Sequence, residues 1–331
     1  MDKIFLSELG KSFQDRDFLL IVGLGFDERS LSALKAIGPS SPRRVAALLN
    51  PARLDIDQAL YLDEFKDIAG GEAVVIGDGY NSIVETIDSL QSFLLKEDCS
   101  ESDIIFDITS LSHELLIAVV GLLAIEKILG RVTLIYTGAE KYSYNTSPGQ
   151  QWLSRGVTEI RSVLGFPGLM LPSRKLHLIV LAGFEVERAA EIIARYEPAR
   201  LTIAHGGKDQ SVSEQHYQSN KQYVEEIRDF LVERSSISEG VSSFEFSCVD
   251  PFETCDLVCR YVEDLEGENI VICPLNTKVS TVGVALAGLK YPWLQICYAQ
   301  AAEYNLQGYA KAGDSVAVIS FSNYDISIGE F

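Results

Sequence analysis

Residues Asn269–Tyr304, NIVICPLNTKVSTVGVALAGLKYPWLQICYAQAAEY, decide the fold. Asn269–Cys273 is an unbroken apolar run, the pattern of a strand covered on both faces. A small polar turn follows, Pro274-Leu275-Asn276-Thr277-Lys278. Ser280–Leu289 then reads as a helix of small residues. Leu294–Ala299 reads as a second strand, running into a loop that bears Tyr304. In an open parallel sheet, the turn between strand and helix is where ligands bind. Free N–H groups at a helix start favour an anion there. Lys278 adds a point charge suited to phosphate.

The chain carries this arrangement twice. Upstream, DFLLIVGLGF (Asp17–Phe26) is another apolar strand. Arg43–Leu49, Ala73–Ile76, Asp103–Ile108 and Val132–Tyr136 also read as strands. Helices are expected at Arg29–Ile37, Ile56–Ile68, Asn81–Leu95 and Glu114–Leu129. Such alternation implies a parallel sheet with right-handed crossovers. Gly138–Pro172, punctuated by Pro and Gly, reads as a functional loop plus a connector. The alternation then restarts, with strands at Leu176–Phe184, Arg200–His205 and Phe244–Val249. Its helices are Glu187–Arg195, Ser211–Glu233 and Phe252–Leu265, and Ser315–Phe321 reads as an edge strand. The expected fold is α/β: two tandem Rossmann-like lobes with parallel sheets, over 1–170 and 171–331, related by internal duplication.

The repeat is visible residue by residue. Gly25-Phe26-Asp27-Glu28-Arg29 matches Gly183-Phe184-Glu185-Val186-Glu187-Arg188 with one residue inserted. Asp107-Ile108-Thr109-Ser110 sits where Cys273-Pro274-Leu275-Asn276 sits. Tyr136-Thr137-Gly138-Ala139 matches Tyr298-Ala299-Gln300-Ala301, and Lys141-Tyr142 matches Glu303-Tyr304. Trp152 and Gly156 have counterparts in Tyr309 and Gly313. A ligand pocket at a pseudo-twofold axis would take one set of residues from each lobe.

In each lobe the first and fourth strands are expected side by side, where strand order reverses. The residues just beyond them are the candidate site. In lobe one these are Gly25, Phe26, Asp27, Glu28, Asp107, Thr109 and Ser110. In lobe two they are Gly183, Phe184, Glu185, Asn276, Thr277 and Lys278. Tyr142 and Tyr304 stand ready to cover the same crevice. Each has a plain structural alternative. Asp27 and Glu185 suit a helix N-terminus through its dipole. Asp107, Thr109 and Ser110 suit caps and turns. Gly25 and Gly183 allow close backbone approach.

Composition narrows the classes. A net charge of −19 over 331 residues argues against an extended nucleic-acid groove. It leaves room for a small anionic ligand or a protein effector. The N-terminus lacks a signal-peptide core. The longest apolar run, Leu115–Ile125, is too short for a bilayer. Cys99, Cys248, Cys255, Cys259, Cys273 and Cys297 form no CxxC and read as reduced, buried side chains of a cytoplasmic protein. The scattered histidines give no zinc spacing, and no cofactor is expected. GxGxxG, GxxxxGK[ST] and GxSxG are all absent from the sequence, which disfavours a dinucleotide oxidoreductase, a P-loop NTPase and an α/β-hydrolase.

The two turns after the fourth strands resemble the CRISPR-associated Rossmann-fold (CARF) ligand-sensing domains. That family carries a D-x-T-G-G-T-K-like turn there, and its dimers bind cyclic oligoadenylates across their two-fold axis. Asp107-Ile108-Thr109-Ser110 is similar to the start of that turn, and Asn276-Thr277-Lys278 to its end. Lobe one departs from it in the glycines and the lysine, lobe two in the aspartate and the glycines. The resemblance implies a nucleotide sensor in bacterial defence signalling. The expected ligand is then a nucleotide lying between the lobes, phosphates near Asn276, Thr277 and Lys278 and bases near Tyr142 and Tyr304. A second reading is a nucleotide or nucleoside hydrolase with Asp27, Glu28 or Asp107 as general base. A third is a scaffold subunit of a protein complex.

Overall fold

The computed structural model describes residues 1–14, 16–38, 44–53, 56–70, 73–77, 82–97, 102–143, 152–234, 240–265, 267–322, 324 and 328–329. Cys99, Arg43, Asn81 and the 144–151 part of the expected loop lie outside them.

The first half runs β1 (Asp2–Phe5), α1 (Leu6–Ser12), β2 (Phe18–Leu24), α2 (Ser32–Ile37) and β3 (Arg44–Leu49). It continues with α3 (Leu62–Ala69), β4 (Val74–Ile76), α4 (Ile83–Lys96), β5 (Asp103–Asp107), α5 (His113–Ile125) and β6 (Val132–Tyr142). The second half opens on β7 (Ser154–Ser162) and β8 (Leu176–Leu181), then α6 (Val186–Tyr196), β9 (Arg200–Gly206) and α7 (Glu214–Arg234). After the short β10 (Val241–Ser242) and β11 (Glu245–Phe246) come α8 (Pro251–Glu263), β12 (Asn269–Pro274), α9 (Lys278–Lys290), β13 (Gln295–Tyr304) and β14 (Ala310–Ser320).

Two sheets result, and the fold is α/β with two Rossmann-like units. The first has the order β1-β14-β6-β5-β2-β3-β4, and β2 through β6 run parallel within it. The second has the order β10-β9-β8-β12-β13-β7, with β11 also on β9. The winding is the same in both. β2 lies between β3 and β5, and β8 lies between β9 and β12, so the first and fourth parallel strands are neighbours as expected. Apolar strands make this possible: Leu20, Val22 and Leu24 of β2 pack in one core, Leu178 and Val180 of β8 in another. α5 is apolar on every side and is buried along its length from Glu114 to Ala124; α9 is buried from Val279 to Leu289. Ser112 and Thr277 cap these two helices by accepting from Leu115 N–H and Ser280 N–H, each at 3.1 Å.

The expected long loop at Gly138–Pro172 contains strand at two places. β6 continues to Tyr142, and β7 occupies Ser154–Ser162. The reason is pairing at long range. β14 runs antiparallel to β6, and β7 runs antiparallel to β13. The first unit therefore takes β14 from the far end of the sequence, and β7, which falls within the lobe expected over 1–170, belongs to the second. The compact units are Met1–Gln151 with Asn305–Asp325, and Trp152–Tyr304 with Ile326–Phe331. They part near residue 151 where the sequence suggested 170, and they are not contiguous. β14 was expected at an edge; instead β1 pairs with its outer side. The helix expected from Ile56 starts only at Leu62, and of Phe244–Val249 only Glu245–Phe246 pairs as a strand.

Candidate functional site

At the strand-order reversal the loops of each unit close on one another. A Cβ on Gly25 would lie 2.9 Å from the Ser110 carbonyl oxygen, and one on Gly183 only 2.1 Å from that of Leu275. Neither position tolerates a side chain without moving backbone. In unit 1 the closure is stitched by Asn50. Its amide donates to the carbonyls of Leu24 and Ser110, both at 2.8 Å, and its Oδ1 accepts from Ser112 N–H at 2.6 Å. Ser30 Oγ donates to Ser110 Oγ at 2.7 Å. In unit 2 Asn276 does the equivalent work. Its amide donates to the Ala182 carbonyl at 2.5 Å and to Asn220 Oδ1 at 2.8 Å. Thr277 Oγ1 donates to the Cys248 carbonyl at 2.8 Å. Ser110, Asn276 and Thr277 thus hold loops together at the point where a ligand was expected. Lys278 is half-buried in the first turn of α9.

One strand over, toward β6 and β13, each unit buries a matching charged cluster. In unit 1 Asp27 caps a short 3-10 turn, Glu28–Leu31, which sets Arg29 against it. Arg29 Nη2 meets Asp27 Oδ2 at 2.6 Å, and Nε donates to both carboxylate oxygens at 3.1 Å. Arg29 Nη1 donates to the Thr137 carbonyl at 3.1 Å. The guanidinium lies 5.8 Å from the ring centre of Tyr136 and 5.5 Å from that of Tyr142. The two tyrosine hydroxyls are 2.8 Å apart. In unit 2 Arg188 pairs with Glu185, donates to the Ala299 carbonyl, and lies 5.4 Å from the Tyr298 ring. The hydroxyls of Tyr298 and Tyr304 are 3.5 Å apart. Glu185 also accepts from Ser154 Oγ.

The electrostatics follow from burial. Desolvation works against the charge on Arg29, but Tyr142, Tyr136 and Asp27 outweigh it and hold the guanidinium above its ordinary value. Arg188 shows the same balance, with Glu185, Tyr304 and Tyr298 outweighing desolvation. Burial, then Tyr136, pushes Tyr142 well above an ordinary phenol. Tyr142 therefore acts as a neutral hydrogen-bonding, ring-bearing group.

Asp107 distinguishes the two clusters. It ends β5, is fully buried, and accepts from Thr109 N–H at 2.9 Å and Thr109 Oγ1 at 2.5 Å. Both bonds reach Oδ1. Oδ2 has no hydrogen-bond partner among the described residues. Burial pushes its carboxyl up to about 7, while the Thr109 bonds and Arg29 pull it back.

The other expected residues are placed as follows. Glu28 is exposed and accepts from Ala312 N–H at 2.9 Å, joining β14 to the 3-10 turn. Glu187 does the same for β7, accepting from Gly156 N–H at 3.3 Å. Phe26 packs edge-on against Tyr309 at 5.1 Å. Phe184 packs against Tyr223 at 5.2 Å and His216 at 6.3 Å. The structure therefore gathers Asp27 with Tyr142 through Arg29, Asp107 with Thr109, and Glu185 with Tyr298 through Arg188. Tyr304 and Tyr142 stand at the ends of extended strands, not in loops. Sequence reasoning passed over Arg29, Arg188, Tyr136, Tyr298 and Asn50. The first four were legible, since all of them recur at matched positions of the repeat. Asn50 carried no such signal; only the adjacency of β2 and β3 gives it a role.

Among the described residues no three or more His, Cys, Asp or Glu are grouped to hold a metal ion. No helix among them is long and apolar enough to cross a membrane. No known protein family matches the sequence, and no curated protein does.

Proposed function

We propose that the protein is a sensor or regulatory protein that binds a nucleotide-like anion at the C-terminal ends of its parallel strands. The observation that carries this reading is the recurrence of one constellation in both units. Carboxylate, arginine and two tyrosines stand at matching strand ends, with each guanidinium over an aromatic ring. A buried ion pair is weak as a device for stability, so its presence twice fits a role in recognition. The half-buried rings of Tyr136, Tyr142 and Tyr304 offer stacking faces to a base. In unit 2, Lys278 and the first turn of the thirteen-residue α9 offer positive potential to a phosphate.

The test is a melting-temperature shift of the full chain against mono-, di- and triphosphates, NAD and cyclic oligonucleotides, with products followed in the same samples. The cyclic compounds belong in the panel because the strand-end turns resemble CARF domains, which also keeps defence signalling as part of the proposal. A binder raises the melting temperature by mass action, and Lys278→Ala is expected to shrink that shift severalfold. A shift with product moves the reading to hydrolysis. No shift across the panel overturns it and leaves a scaffold role.

A further inference from the structure

The two sheets can be laid on one another by register. Asp107 of β5 faces Val22 of β2, and Cys273 of β12 faces Val180 of β8. Val22 and Val180 hold the same place in their strands, so Asp107 and Cys273 are counterparts. By the same count along the neighbouring strands, Thr109 corresponds to Leu275, and Thr137 to Ala299. Cys273, Leu275 and Ala299 belong to the apolar core of unit 2. Unit 1 therefore places three polar side chains where unit 2, with the same winding, uses three apolar or small ones. The fold does not require them.

These side chains are also incompletely satisfied. Thr109 Oγ1 donates to Asp107 Oδ1 at 2.5 Å and accepts from Thr137 N–H at 2.9 Å, so it touches both neighbours. Asp107 Oδ2 and Thr137 Oγ1 are each buried without a hydrogen-bond partner among the described residues. Asp107 and Thr137 are both fully buried. Orphaned buried polar atoms are rare and costly. A buried water is stable where it finds two to four polar partners. We infer that unit 1 holds a buried water-binding and proton-exchanging site that unit 2 lacks: the carboxyl of Asp107, fixed by Thr109, with one water bridging Asp107 Oδ2 to the hydroxyl of Thr137.

The inference stands apart from the nucleotide reading. The charged and titratable groups facing this site are Arg29 on the 3-10 turn and Asp27 capping it, with Tyr136 and Tyr142 of β6 around the guanidinium. Arg29 favours an ionised Asp107; burial and Asp27 oppose it, and burial dominates. The carboxyl is thus raised from 3.8 in an open chain to about 7 in the fold. The sign follows. A raised carboxyl contributes stability fully below the unfolded value and loses it as pH climbs through the folded one. Unit 1 should weaken from about pH 4 to about pH 7 on account of Asp107.

The test uses the full chain in three forms: wild type, Asp107→Asn, and the triple change Asp107→Cys, Thr109→Leu, Thr137→Ala, which installs the residues of unit 2. Infrared titration across about pH 5 to 9 is expected to show one buried protonated carboxyl in wild type, lost in Asp107→Asn. The triple variant is expected to gain more in melting temperature over wild type at about pH 8 than at about pH 4. A high-resolution crystal structure of wild type should show the bridging water. Absence of the infrared band, an offset that is equal at both pH values, or a direct Thr137–Asp107 hydrogen bond with no water would each overturn the inference. Should the triple variant fail to fold, Asp107→Asn alone carries the pH comparison.

Discussion

At the scale of single residues, three carboxylates at strand ends have three different jobs. Asp27 is bound on both oxygens by Arg29, with side chains only 6% and 3% exposed. Removing one partner leaves a buried charge without its counter-ion. Asp27→Ala is expected to lower unfolding stability by about 3–5 kcal/mol. Asp27→Leu combined with Arg29→Met should cost less than either single change, and denaturant midpoints of the three variants decide it. A double variant as damaged as the sum of the singles would mean the pair does not act as a unit. Glu28, exposed and bonded to a backbone N–H of β14, should tolerate Gln far better. Asp107 Oδ2 has no hydrogen-bond partner among the described residues. Its rise from 3.8 to about 7 corresponds to roughly 4 kcal/mol of strain against the ionised form. Asp107→Asn is therefore expected to stabilise the protein near neutral pH, against the usual direction for a buried substitution. Of these roles, the sequence showed that Asp27 and Arg29 recur as Glu185 and Arg188. It did not show that Asp107 sits among Thr109 and Thr137, because their meeting depends on β5 and β6 being neighbours.

At the scale of elements, the exchanged strands are the main departure from a tandem reading. β6 ends at Tyr142 and β7 begins at Ser154, consecutive strands whose partners are nevertheless β14 and β13. Two proline substitutions separate the alternatives. Val318 of β14 pairs with Ile135 of β6 and with Asp2 of β1. Ile160 of β7 pairs with Ala299 of β13. Proline removes a ladder donor and is poorly tolerated inside a sheet. Val318→Pro should therefore speed amide exchange in β6 and leave β13 protected, and Ile160→Pro should do the reverse. The opposite pattern would indicate ordinary hairpins within each half. Close approach of loops gives a second check. Gly183→Ala would force a methyl to 2.1 Å from the Leu275 carbonyl, with an expected loss of about 1–3 kcal/mol or more. Gly130→Ala, with nothing within 4 Å of the new methyl, should be close to neutral in the same unfolding measurement.

At the scale of the whole molecule, a chain carrying a net charge of −19 repels anions at long range. If the ligand bears phosphates, its association should speed up as ionic strength rises from about 10 mM to about 150 mM, since screening shortens the repulsion. A slowing with salt would place a locally positive approach path around Lys278 in control. The same scale shows what each source of information decides. By itself, the sequence determined that strands and helices alternate and that the pattern restarts. It also determined which strands are buried on both faces and which residues recur. These follow from local rules: apolar runs, small-residue helices and caps are written in consecutive residues. Only the tertiary structure decided that β14 completes the first sheet and β7 the second. It alone closed the expected crevices with Asn50 and Asn276, and it alone left Asp107 Oδ2 and Thr137 Oγ1 without a hydrogen bond among the described residues. Those outcomes depend on which strands lie side by side, at separations of 28 residues for Thr109 and Thr137 and 94 for Ala182 and Asn276, and longer for β14 on β6, and pairing at such distances is set by the packing of whole sheets rather than by any local pattern.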